Sequence, residues 1–177
     1  YTDTYQGDDW HVSSSGDMLA GDGSLGNPLS SVQAAINLAD EGDNVILSEG
    51  TYTGEGNHNI YFLGKALTLS SSGETENTII DMENVSGDRG FIFQPRDSYP
   101  GATANTVIDG ITIQNGFLSF DDAAGAGVYI SSASPTFQNC IIRDNVTHAA
   151  NATVYAAGVY LDNSSSSFLN CSIINNT

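Results

Sequence analysis

The sequence predicts an all-β solenoid, a stack of short coils closed at its amino-terminal end by one amphipathic helix. Three observations carry that expectation. From Asn44 onward, short β-branched and aliphatic runs alternate with Gly, Ser, Asn and Asp clusters, the texture of brief strands bounded by turns. Segments of similar sequence recur at a period of about 30 residues with no helix between them. Only one stretch has helical spacing. A repeat of this kind cannot bury its inner face alone and completes its core by stacking on its neighbours.

Residues 1–43 read as an amino-terminal segment with the capping helix, and 44–177 as the coils, within a single domain. The helix is expected over Ser30 to Ala39. Ser30 and Gln33 have capping-box spacing, Val32, Ala35, Ile36 and Ala39 share one apolar face, and Gly42 follows where a left-handed cap sits. An open solenoid end exposes apolar cross-section and unpaired amides, so a helix just before the first coil is the expected lid.

Within the coils, Val45-Ile46-Leu47, Ile60-Tyr61-Phe62, Ala66-Leu67-Thr68-Leu69 and Phe91-Ile92-Phe93 read as strands. One repeat series aligns Thr78–Met82, Thr106–Gly110, Thr136–Cys140 and Ser167–Cys171 at offsets of 28, 30 and 31. A second aligns Gly90-Phe91-Ile92-Phe93 with Gly127-Val128-Tyr129-Ile130 and Gly158-Val159-Tyr160-Leu161. In this alignment Tyr129 and Tyr160 fall on the outer face, one above the other. They would serve as cross-coil packing or as a platform for a sugar ring.

Composition excludes several functions. Four Lys+Arg against 21 Asp+Glu give a formal net charge of −17 over 177 residues. Four cations cannot line a nucleic-acid groove or dock on anionic lipid. No apolar run approaches the ~20 residues needed for a membrane-spanning helix, so no membrane insertion is expected. Charged residues are only 14%, so the acidity comes from missing bases rather than dense acids. The chain opens on Tyr1, which is expected of a processed mature protein or a fragment.

The stretches Trp10–Asp17, Gly26-Asn27-Pro28-Leu29, Glu41–Leu47 and Gly50-Thr51-Tyr52 resemble the amino-terminal cap and first coil of secreted right-handed parallel β-helix proteins of pectin-lyase-like fold. Ser134–Cys140 resembles the repeat of bacterial surface proteins related to the chlamydial polymorphic outer-membrane proteins. The resemblance implies a right-handed parallel β-helix and a secreted, extracellular or cell-surface location. It does not select an activity, because such proteins include polysaccharide lyases, hydrolases and adhesins. Lyases of this fold combine acidic Ca²⁺ ligands with a basic proton abstractor, and the hydrolases add clustered aspartates and a basic clamp. Here the bases are Lys65, Arg89, Arg96 and Arg143, and the repeat places Arg143 where Ile113 and Ile174 stand, so no basic ladder is expected. His11, His58 and His148 lie far apart in sequence without a partner motif. No enzyme is expected.

The alignment makes Asp81, Asp109, Asn139 and Asn170 one ladder, ~4.8 Å apart from coil to coil. Two carboxylates so close need a cation, a shared proton or donors. The ladder is therefore a Ca²⁺ or catalytic acid pair, or an inward turn device bonded to the neighbouring coil's amides; its change from acid to amide favours the second. Cys140 and Cys171 share a position, with Met82 and Gly110 at the matching places, and read as stacked buried thiols. Asp17, Asp22, Asp40 and Asp43 are the candidate loop ligands for Ca²⁺, the one metal considered. Asn-x-Ser/Thr sequons stand at Asn84, Asn145, Asn151, Asn163, Asn170 and Asn175. Asn170 is expected to be inaccessible and the other five are candidate glycan sites, Asn145, Asn151 and Asn163 lying in predicted turns. Thr112 is followed by Ile142 and Ile173 at its repeat positions, so no threonine array suited to ice forms.

These readings converge on a non-catalytic extracellular structural module, a cell-surface stalk, adhesin or head-to-tail filament subunit that is N-glycosylated. Its partner is another copy end to end, or further coils of the same chain. The alternative is a carbohydrate-active module, polysaccharide-binding or lyase-like.

Overall fold

Alternating apolar and polar residues make each short strand a two-sided ribbon that must bury one side. In the computed structural model, which describes residues 5–17, 19–96, 99–121, 123–149 and 153–177, these ribbons form three large parallel sheets, the faces of a β-solenoid, and a two-stranded one, Phe117–Leu118 with Val146–Thr147. The first face has six strands: Asp9–Val12, Asn44–Leu47, Thr68–Ser71, Val107–Asp109, Thr136–Gln138 and Ser167–Leu169. The second has five: Gly50–Tyr52, Thr78–Asp81, Thr112–Gln114, Ile141–Arg143 and Ser172–Ile174. The third has four: Ile60–Tyr61, Phe91–Phe93, Val128–Ser131 and Val159–Asp162. The chain visits them in that order on each circuit. The strand Asp9–Val12 pairs with Asn44–Leu47, so the first face begins before the helix.

The inward positions stack in columns. Val45, Leu69, Ile108, Phe137 and Phe168 run up the first face, and Tyr52, Ile80, Ile113, Ile142 and Ile173 up the second. Phe62, Phe93 and Phe137 close the centre, with ring centroids 5.1 and 5.8 Å apart along that chain of contacts.

The amino-terminal lid is the helix α1, Val32–Leu38. Its cap is Ser31 rather than Ser30: the Ser31 hydroxyl accepts from the Ala34 amide at 3.1 Å. Gln33 is therefore freed from the expected capping box. Its side-chain amide instead donates to Tyr61 O at 2.9 Å and accepts from Tyr61 N at 2.8 Å, in the manner of a strand beside the third face. Val32, Ala35, Ile36 and Ala39 are buried as the periodicity predicts. Lys65 closes the other end of the helix, donating to the carbonyls of Ile36, Asn37 and Ala39 at 2.8, 3.0 and 2.6 Å. A cation there satisfies carbonyls that have no partner within the helix.

Two corners explain the asparagines. The turn from first to second face needs a left-handed residue, supplied by Gly110, Asn139 and Asn170 with φ of 68, 52 and 53°. The turn after the second face uses Asn115, Asp144 and Asn175 with φ of 61, 55 and 55°. Asn, Asp and Gly tolerate that region best.

These corners revise the first repeat series. Asp81 lies on the second face and pairs with Gln114, whereas Asp109 lies on the first and pairs with Gln138. The two aspartates do not belong to one ladder. Asn139 and Asn170 do stack, but their counterpart is Gly110. Thr136–Gln138 against Ser167–Leu169 and the whole Gly90–Gly127–Gly158 series keep the expected register. Arg143 stands opposite Gln114 and Ile174, not Ile113, and Thr112 opposite Ile79 and Ile141, not Ile142. Neither shift creates a basic ladder or a threonine array.

Candidate functional site: carboxylate clamps, a thiol pair and an outer groove

Each aspartate of the presumed ladder is held by a Gln-Asn pair on the next coil. Gln114 donates to Asp81 Oδ2 at 2.8 Å and Asn115 Nδ2 reaches Oδ1 and Oδ2 at 2.9 and 3.1 Å. The Glu83 amide adds a bond to Asp81 Oδ1 at 2.8 Å. One coil later, Gln138 and Asn139 donate to Asp109 Oδ2 and Oδ1 at 2.9 and 2.8 Å. Neutral side-chain donors thus satisfy both carboxylates on the rim of the coils, with no inward position and no paired acid. Asn139 and Asn170 are exposed, which corrects the expectation that Asn170 is inaccessible.

The inward amide ladder is a different one. Asn145 is fully buried. Its Nδ2 donates to Arg143 O and Asn176 Oδ1 at 2.9 Å each and to Ile113 O at 3.3 Å, while its Oδ1 accepts from Gly116 N at 2.8 Å. Asn176 repeats the pattern on Ile142 O at 3.0 Å. The sequence signal was Asn115-Gly116, Asp144-Asn145 and Asn175-Asn176 at equivalent turns. This burial removes Asn145 from the glycan candidates, because every polar atom of its amide is engaged in the interior. Asn84, Asn163 and Asn175 are exposed, and Asn151 lies outside the described residues.

Cys140 and Cys171 occupy successive coils at one position, between the first and second faces. Their counterpart one coil earlier is Ile111, since Ile141 pairs with Thr112; Met82 and Gly110 stand elsewhere. Both thiols are free, Cys140 buried and Cys171 half-buried. Cys140 Sγ donates to Gln138 O at 3.2 Å. The neighbouring Cys140 side chain favours the thiolate at Cys171 and lowers its pKa to about 7, while the Cys171 side chain, with burial, pushes Cys140 up.

The acidic loop residues act as turn caps. Asp17 Oδ1 accepts from Leu19 N and Ala20 N at 2.7 and 2.8 Å, and Asp22 Oδ1 from Ser24 N at 2.9 Å. Asp43 Oδ2 takes the Trp10 indole N–H at 3.0 Å and the Asp40 amide at 2.7 Å. Among the described residues no three His, Cys, Asp or Glu side chains converge as a metal site, so the calcium candidates are not brought together. His58 does gain a neighbour the sequence did not reveal, Asp88 at 3.2 Å, which Asn59 also holds at 2.8 Å.

The outer side of the third face is aromatic. Tyr129 and Tyr160 stack at 5.3 Å with rings 18° apart, as their alignment predicts. Tyr61 and Ile92 continue that column toward the lid. Arg89 lies beside it, over Tyr129 and Phe120, and Arg96 lies over Tyr61. Tyr61, Arg89, Ile92, Gln94, Ala124 and Tyr129 line a groove of about 280 Å³. Sequence reasoning missed it, because its cations arrive from turns rather than from the repeat.

No protein-family model matches the chain, and neither the curated proteins nor the solved structures searched contain a match. Among the described residues no helix is long and apolar enough to cross a membrane.

Proposed function

We propose that this chain is a non-catalytic structural segment of an extracellular or cell-surface protein, built to be extended by stacking coil on coil. One observation carries the reading. The second-face column is fully buried at Ile113 and Ile142, yet Ile173, its next member, is 49% exposed. Leu161 follows the buried Ile130 in the same way. The outward positions also turn apolar on this coil, Leu169 following Gln138 and Ile174 following Arg143. Such a surface fits another coil in register, from a second copy or from further chain, and head-to-tail stacking of this kind propagates a filament. The resemblance to secreted β-helix proteins supports the extracellular setting.

Cys171 reports on that surface. With the coil uncovered, its thiol is expected to react with iodoacetamide far faster than Cys140, with a midpoint near its pKa of about 7. As protein concentration rises, sedimentation is expected to show longer assemblies and Cys171 labelling to slow in step. Monomers at every concentration, with Cys171 labelling unchanged, would count against the head-to-tail version.

A further inference from the structure

The corner between the first and second faces is built alike on successive coils. Asn139 and Asn170 turn the chain there with φ of 52 and 53°, and a cysteine follows each of them. Backbone bonds pin the coils at this level: Ser172 N donates to Cys140 O at 2.9 Å, and Ile141 N to Ile111 O at 3.1 Å. The two thiols also point the same way. Cys140 Sγ donates to the carbonyl two residues back, Gln138 O, at 3.2 Å, and Cys171 Sγ donates to its equivalent, Leu169 O, at 3.4 Å. Equal backbone and equal side-chain direction make one sulfur a copy of the other, translated by one coil, about 4.8 Å.

That separation decides what the pair can do. A disulfide requires sulfurs about 2 Å apart and Cβ atoms about 3.5–4.5 Å apart. To meet, the two cysteines would have to tilt toward each other against the in-register pairing of Gln138 with Leu169 and of Ile141 with Ser172. A cation held between them asks for no such movement. Two metal–sulfur bonds of about 2.3 Å in line set the sulfurs about 4.6 Å apart. Among the described residues no third His, Cys, Asp or Glu joins the pair, so the four-ligand shell of zinc is not assembled. Two thiolates alone select a soft cation that accepts two ligands. The setting is apolar: Cys140 is 1% exposed, and both cysteines pack on the core that holds Ile108, Ile111, Phe137 and Ile142. Cys171 is half-buried and its thiol ionises at about 7, which gives a cation its point of entry.

We propose that Cys140 and Cys171 form a site for one soft cation bound in line by two sulfurs, of the silver(I) or mercury(II) class, clasping two coils together. As each sulfur–metal bond forms, the thiol proton leaves to solvent, so up to two protons are released per cation and nothing is oxidised or reduced. A divalent cation leaves the buried pair neutral, and a monovalent one leaves a single charge shared by two polarisable sulfurs. The site needs only the two coils that carry it, so it does not rest on the end-stacking reading.

The test titrates the reduced full chain with silver(I), and separately with zinc(II), in chloride-free buffer. Calorimetry and native mass spectrometry are expected to give one silver ion per chain, with two protons released at about pH 5, where both thiols start protonated. Zinc is expected to bind at least about a hundredfold more weakly. Silver should also slow amide exchange at Ser172 and Ile173, because it ties their coil to the one below. Cys171→Ser and Cys140→Ser are each expected to lose about a hundredfold in silver affinity; the first, at a half-buried position, serves if the second fails to fold. Two silver ions bound with equal affinity, or a single-cysteine variant that holds silver as tightly as the parent, would show that each thiol acts alone and overturn the proposal. One silver ion per two chains would place the second thiol on another copy and overturn it as well. So would ready closure of a Cys140–Cys171 disulfide under mild oxidant, read as loss of both thiols to alkylation in a monomer, since the stack would then not hold the sulfurs apart.

Discussion

The first and last described coils of the solenoid differ in how they are covered. At the amino-terminal end, α1 lays Val32, Ala35 and Ile36 on the first coil, all fully buried, and Gln33 pairs with the backbone of the third face. At the other end, Ile173 and Leu161 take the same inward positions as buried residues below them yet stand 49% and 48% exposed. Inward position and burial are therefore separate properties in this fold. A coil's apolar column becomes core only when the next layer covers it, as nearest-neighbour stacking requires.

The sharpest way to break this comparison is to truncate one residue at each end. Ile36→Ala is expected to cost about 2–5 kcal/mol, since the cavity lies in a covered layer. Ile173→Ala, removing a half-exposed side chain, is expected to cost less than about 1 kcal/mol in monomeric protein. Urea midpoints check both. Equal losses would mean that the open end is as well packed as the lid.

A second substitution tests the covered interior near the open end. Asn145→Ala leaves the Gly116 amide without its acceptor inside the stack, at an expected cost of about 1–3 kcal/mol in urea denaturation. Asn176→Ala, whose amide bonds the Ile142 carbonyl closer to the open face, should cost less.

The sequence made the lid and the Gly90–Gly127–Gly158 series legible because both depend on local period. The helix has a three-and-four apolar spacing, and the third-face strands follow a glycine at a constant place. Asp81 and Asp109 defeated the same method. Thr78-Ile79-Ile80-Asp81 and Thr106-Val107-Ile108-Asp109 have the same alternation, but a strand ending in a polar corner looks alike on any face. Thr136 pairs with Val107 and not with Thr106, so the offset of 30 used between those two segments slips by a residue. Buried Asn145 read as a turn sequon because its partners, Ile113, Gly116 and Asn176, lie on other coils. Arg89 and Lys65 were counted as scarce charges, while their roles depend on neighbours about 25 to 35 residues away.

Lys65 permits a milder attack on the lid. Lys65→Met keeps the aliphatic stem but removes the cation from the carbonyls of Ile36, Asn37 and Ala39. The expected loss is about 1 kcal/mol, concentrated as faster amide exchange in the last turn of α1. Exchange that quickens equally in the second-face strands would show that Lys65 supports the whole stack rather than its cap.

The smallest expected effect separates the ends by pH. Asp17 is held below its ordinary 3.8 chiefly by the Ala20 amide and then by Leu19. Asp22 is held below the same value by the Ser24 hydroxyl and then its amide. Glu49 lies below 4.5 through the Glu74 amide and then Asn77. Lowered carboxylate pKa values stabilise the folded chain above the ordinary values, and that contribution disappears as pH falls through the lowered ones. All three groups are turn caps in the amino-terminal third, whereas the inward ladder of Asn145 and Asn176 has no proton to gain. Acidification below pH ~4 is therefore expected to release the amides of Leu19, Ala20, Ser24 and Glu74 first, while Gly116 and Asn145 keep their protection. Amide exchange followed by NMR across that range distinguishes the cases. Simultaneous release along the whole chain would mean that acid acts through the net charge of the stack and not through its capped end.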